Sequence, residues 1–197
     1  MTTAPAPATA PATGTGTATG TVAQARSPLS RTAPAAAPDR SAVRPLPASD
    51  PVRIRIPAIG VDAFLTRLEL DAAGALRPPP ATAPLLAGWY ADGTTPGAPG
   101  TALVAGHVDT PFGPAVFHRL HALAPGAEIT VERQDGRTAR FTVDAVELVP
   151  KDRFPDEKVY GGSGRPELRL ITCGGTWSDT TGYQSNTVVY AGLTGAG

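Results

Sequence analysis

The chain contains a single cysteine, Cys173, followed at once by Gly174 and Gly175. A thiol becomes a nucleophile when a basic or cationic neighbour favours its thiolate, and histidine is the usual partner. Two glycines after the thiol let backbone N–H groups approach a bound carbonyl and face the negative charge that develops on its oxygen. Three histidines are present, His107, His118 and His121. His107 follows the apolar run Thr101–Ala105, much as Cys173 closes the run ELRLITC at 167–173. Two strand ends on one rim of a sheet bring imidazole and thiol together although 66 residues separate them in the chain (173 minus 107). His118 and His121 lie three apart on a segment of helical pattern and read as a solvated face. Acyl transfer also calls for a cation near the attacked carbonyl. Arg169, four residues before Cys173, projects from the same strand face as Ile171 and Cys173. The plainer alternatives are a buried, inert thiol and a strand arginine paired with a carboxylate.

The elements that must hold these residues are short and β-like. Val52–Ile56 alternates with period two, as a half-buried strand does. Arg77–Pro84 is too proline-rich for a helix or a central strand. Gly93–Gly100 reads as a surface turn in preference to the alternative, a mobile lid. Pro114–Leu123 (PAVFHRLHAL) is the one predicted helix, opened by a proline and closed by Pro125-Gly126. The runs 128–133 and 138–149 flank Asp135-Gly136, a dipeptide favoured in hairpin turns. With the apolar runs 167–173 and 187–193, the count reaches seven or eight strands, which predicts a closed or nearly closed β-barrel.

Composition divides the chain in two. Residues 1–50 are mostly Ala, Thr and Pro, and the first aromatic residue of the chain is Phe64. So little bulky apolar surface cannot offset about 1–2 kcal/mol of backbone ordering entropy per residue, which predicts a disordered linker over 1–50 and one folded domain over 51–197. Seventeen Lys and Arg balance seventeen Asp and Glu. That leaves no basic footprint for a nucleic acid. A lone cysteine makes no internal disulfide, and no His/Cys grouping has the spacing of a metal site. No apolar run of membrane-spanning length and no signal-peptide pattern is present.

The segments GHVDT at 106–110, ELRLITCGG at 167–175 and NTVVYAGL at 186–193 resemble the signature segments of sortases, the cysteine transpeptidases of Gram-positive surfaces. IPAIGVDA at 56–63, GWYADGTTPGAPG at 88–100 and GPAVFHRL at 113–120 extend the likeness, which is nearest to the actinobacterial class F. The resemblance implies a mainly β fold, an eight-stranded sortase-type barrel with one or two short helices. It implies Cys173 and His107 as the catalytic pair, cleavage of an LPXTG-like sorting signal between Thr and Gly through a thioester, and transfer to an amine of a cell-wall precursor or pilin. No metal or organic cofactor is implied, the enzyme is expected to be a monomer, and the expected location is the extracellular face of the membrane or the wall. The chain departs from the family in two ways. No arginine follows Cys173, and Gln184 or Asn186 occupies the place of the family's third residue. Arg169, or else Arg153 or Arg165, is the candidate replacement, or the site has no arginine. The family's apolar anchoring helix is also absent from the N-terminus, although its spacer is present. A hydrolytic cysteine peptidase on the same barrel and a non-catalytic binding module are the other two readings.

Overall fold

The structure is a computed structural model that describes residues 43–197. The linker expected over residues 1–50 falls mostly outside the described residues, but its last part does not. Residues 43–49 lie against the folded body, with Leu46 buried and its N–H donating to the Gly97 carbonyl.

Ten strands follow: β1 (Pro51–Ile56), β2 (Val61–Leu68), β3 (Ala87–Tyr90), β4 (Gly100–Ala105), β5 (Asp109–Thr110), β6 (Gly113–Pro114), β7 (Glu128–Arg133), β8 (Thr138–Pro150), β9 (Pro166–Ser178) and β10 (Gly182–Ala196). Eight of them close a barrel in the order β1-β2-β3-β4-β9-β10-β8-β7, and β5 pairs with β6 as a separate small ribbon. The pairs β2/β3 and β4/β9 are parallel and the remaining barrel pairs antiparallel. Closure leaves the barrel itself without a free edge, and alternation sends every second side chain inward. Ile54 and Ile56 of β1, Val104 of β4, Ile129 and Val131 of β7, Phe141 of β8 and Leu168 and Leu170 of β9 fill the interior. Each such side chain contributes about 1.5–3 kcal/mol when withdrawn from water. Asp135-Gly136 sits in the β7–β8 turn, where Gly136 adopts φ 78°.

The helix expected over Pro114–Leu123 is not formed. Pro114 belongs to β6, and only Leu120–Ala122 make a 3-10 turn. The reason lies in where the N–H groups go. Those of Ala115, Val116 and Phe117 donate to the carbonyls of Val108, Pro84 and His107, and those of His118, Leu120, Ala122 and Leu123 each donate to the carbonyl three residues back. Val116, Phe117, Leu120 and Leu123 are buried, so the helix-like spacing reflects a plug in the barrel rather than an α-helix. The short α-helix, α1 (Asp156–Tyr160), lies instead in the β8–β9 connection. Its Val159 joins Val149, Val188 and Tyr190 in a second apolar cluster, which Phe154 and Ile171 flank.

Candidate functional site

The β4/β9 ladder runs in parallel to Ala105↔Ile171, and Gly106 N–H donates to the Ile171 carbonyl at 3.2 Å. Two residues past that pair stand His107 and Cys173, so the ladder itself carries imidazole and thiol to one rim. Gly106 is required here, because a Cβ on it would come within 2.6 Å of Val116 and 2.7 Å of Phe117. Phe117 in turn donates its N–H to the His107 carbonyl at 3.0 Å. His107 and Cys173 both line a cleft of about 750 Å³, walled by Asp109, Trp177 and Tyr183.

His107 Nε2 lies 2.7 Å from the carbonyl of Pro79, in the proline-rich 77–84 segment. A carbonyl only accepts, so Nε2 carries the hydrogen and Nδ1 is the nitrogen left for proton traffic. Cys173 is half-buried and five residues short of the end of β9, not at the strand terminus. The strand kinks directly after it. Gly174 pairs with Ser185 and Trp177 with Tyr183, so Gly175 and Thr176 oppose the single residue Gln184 in a bulge, with Gly175 at φ 80°. Bulges of this kind re-aim neighbouring side chains. Gly174 and Gly175 border a second cavity of about 460 Å³, which Cys173 also lines. His118 and His121 are exposed and border that cavity too.

Asn186 is the direct cross-strand partner of Cys173. With Ile171, Val159, Tyr160, Leu76 and Leu70 it lines a largely apolar cleft of about 770 Å³. Gln184 is exposed and borders none of these three cavities.

Arg169 is elsewhere. Its guanidinium is buried, bound to Glu167 at 2.7 Å and stacked 4.8 Å from the Tyr190 ring centre. It borders neither cavity at Cys173, since four residues along a strand carry a side chain about 13 Å away. Arg153 is 85% exposed beside Asp152, and Arg165 is exposed at the start of β9. No arginine among the described residues therefore borders the two cavities at the thiol. A cation is nevertheless present. Lys151 Nζ lies 3.8 Å from Cys173 Sγ.

Two further groups complete the cleft. Tyr183 donates its hydroxyl to Asp109 and meets Trp177 edge-on, with ring centres 5.0 Å apart. The hydrogen bond to Asp109, together with burial and the nearby Cys173, holds the Tyr183 phenol above its ordinary value. Sequence reasoning did not single out Lys151, Asp109 or Tyr183. Only GHVDT flags Asp109, by its place two residues after His107.

The Glu167–Arg169 pair has a pH signature. Burial opposes ionisation of Glu167, but hydrogen bonds from Ser163 and Arg169 and the charges of Arg169 and Arg165 outweigh it and hold the carboxyl below its ordinary 4.5. A depressed carboxyl contributes stability that is present above its unfolded value and lost as pH falls through the folded one. Glu167→Gln is therefore expected to be less stable than wild type at neutral pH. The difference should close on acidification below about pH 4.5, as read from urea midpoints across pH.

The family model described as the Sortase domain matches residues 54–194. Among solved structures, the chain resembles sortase C-1 from Actinomyces oris at 21% identity and TM-score 0.57, over 74% of this chain and 76% of that one. Listeria monocytogenes sortase A shows 17% identity and TM-score 0.52, over 76% and 90%. A Clostridium perfringens sortase D5 transpeptidase shows 17% and 0.54, over 79% and 84%. At these identities the structures share the fold. A search of the curated proteins finds no match.

Proposed function

The chain belongs to the sortase family, and from that premise we propose that it is a cysteine transpeptidase cutting an LPXTG-like sorting signal between Thr and Gly and passing the acyl group to an amine. The observation that carries the reading is that Cys173 and His107, each two residues past the last parallel pair of β4 and β9, border one cleft.

The geometry supports thioester chemistry. Cys173 Sγ adds to the threonine carbonyl carbon as the C=O electron pair moves onto oxygen, and the thiol proton passes to His107 Nδ1. Collapse of the tetrahedral species breaks the C–N bond, the glycine amine leaves with the proton from Nδ1, and a thioester remains. An incoming amine surrenders a proton to Nδ1, attacks the thioester carbon and expels the sulfur. Gly174 and Gly175, which follow the thiol directly, supply the N–H groups to the oxyanion in this reading. The apolar cleft from Leu70 to Asn186 suits the Leu-Pro portion of the signal, with Ile171 beneath it and Asn186 beside the scissile bond.

The sorting signals of surface proteins, an amine on a wall precursor or pilin, and an extracellular place of action follow from the family. The motif likeness favours its class F branch. No helix of the described residues is long and apolar enough to cross a membrane.

The test uses the full chain with an LPXTG peptide and triglycine, read by mass spectrometry. The expected product is the LPXT–triglycine ligation. Hydrolysed LPXT alone, with triglycine in excess, would replace transfer by peptidase activity. No cleavage of LPXTG or its Leu-Ala counterpart would leave a binding module.

A further inference from the structure

We propose that Lys151 is the catalytic cation of this site, holding the Cys173 thiolate and then the oxyanion that forms beside it; the assignment rests on the transpeptidase reading above. From Gly174 to Gly197 the chain contains no lysine, arginine or histidine, so a cation for Cys173 has to come from another element. The register names which one. Cys173 pairs with Asn186 on β10, and Asn186 pairs with Val149 on β8. Directly opposed residues project from the same face, and so does the residue two positions on. Lys151 is two positions beyond Val149, just after β8 ends at Pro150, and the 3-10 turn Lys151–Arg153 begins there. Three strands thus set Lys151 in line with the thiol, and its Nζ stands 3.8 Å from Sγ.

Competing partners are few. The Lys151 ammonium is directed at the Cys173 sulfur. Glu147, which borders the cavity beside Cys173, is held by Lys158 through both oxygens at 2.7 Å. The remaining titratable groups facing the thiol are His107, Asp109 and Tyr183 from the large cleft and His118 and His121 from the small one. Asp109 is engaged by the Tyr183 hydroxyl. Asn186, the cross-strand neighbour, donates hydrogen bonds but brings no charge, and charge-assisted hydrogen bonds are about twice as strong as neutral ones. The ammonium also has reach. Its flexible stem lets Nζ follow the negative charge from sulfur to the adjoining carbonyl oxygen, keeping its own proton throughout.

The test separates this role from turnover. Cys173 is the sole cysteine, so iodoacetamide alkylation of the folded full chain reads its thiolate directly. At neutral pH, Lys151→Met is expected to alkylate about three- to tenfold more slowly than wild type, the size expected of one exposed charge about 4 Å away when water screens it fully. Lys151→Arg should match wild type, and all three should converge in alkaline solution, where every thiol is ionised. In parallel, Lys151→Met should lower kcat on the peptide substrate by about 10-fold or more with KM little changed. Slowing shared by Lys151→Arg, slowing that persists in alkali, or Lys151→Met alkylating like wild type would each overturn the assignment. If wild type transfers peptide while alkylation ignores Lys151, this inference falls and the transpeptidase reading stands. If alkylation follows the charge while no peptide is cut, the thiolate–ammonium contact stands and the transpeptidase reading falls.

Discussion

His107→Gln is expected to lower kcat for ligation by about 10²- to 10⁴-fold with little change in KM, the range general acid–base groups contribute. Glutamine retains an amide that can donate to the Pro79 carbonyl, so the loop contact is kept while the proton carrier is lost. What disappears is Nδ1, the nitrogen that the 2.7 Å Nε2–H contact to Pro79 leaves free. Without it the glycine amine must leave as an unprotonated anion, and the attacking amine has nowhere local to place its proton. Cys173→Ala, which forms no thioester, defines the blank. Pro79→Gly keeps both imidazole and carbonyl but loosens the segment that orients the ring, and a smaller fall is expected. If His107→Gln stays within about threefold of wild type, far short of what loss of a general acid–base group costs, a different base serves. His118 and His121 would then be next, because both border the other cavity at the thiol.

The barrel was legible because its strands carry their own period. β1, β4 and the β7–β8 hairpin each alternate or run apolar between Gly and Pro punctuation, and Asp135-Gly136 occupies the turn it predicts. The segment 114–123 misled for a physical reason. Val116, Phe117, Leu120 and Leu123 have helical spacing, but three N–H groups at its start bond to neighbouring loops, a tertiary choice that no local pattern displays. Strand termini were harder still. β9 runs on past Cys173 through a bulge, and its continuation pairs with a part of β10 that has no strong β pattern. At the site, Cys173 and His107 stood out by residue type and by the runs they follow. Lys151 did not, since an exposed lysine after a proline is ordinary until β8, β10 and β9 are laid side by side. Arg169 shares a strand face with Cys173, as expected from parity. The 3.3 Å rise per residue and the Glu167 partner keep its charge away.

Residues 43–49, which composition groups with the linker, lie against the barrel, and the reason leads to Arg133. Its side chain is fully buried at the end of β7. It donates to the carbonyl of Pro96, to that of Pro47 at 2.5 Å, and to both carboxylate oxygens of Asp135 at 3.3 and 3.0 Å. Pro96 belongs to the Gly93–Gly100 stretch expected as a surface turn, yet Pro96, Gly97 and Ala98 are buried. One guanidinium therefore ties the 43–49 segment, the β3–β4 loop and the β7–β8 turn together. Arg133→Met supplies similar volume but no donor. A buried carbonyl left without its partner costs about 1–3 kcal/mol, and the half-buried one at Pro47 costs less, so a loss of about 2–4 kcal/mol is expected. For a chain of this size that lowers Tm by roughly 5–15 °C. The hydrogen bond from Arg133 is the main reason the Asp135 carboxyl lies below its ordinary value. That share of the loss is therefore present above about pH 4 and fades as pH falls further. In a chain starting at residue 51 the Pro47 acceptor is gone, so Arg133→Met should cost measurably less there than in the full chain. Equal losses in both backgrounds would mean that the 43–49 segment only rests on the barrel and is not fastened by Arg133.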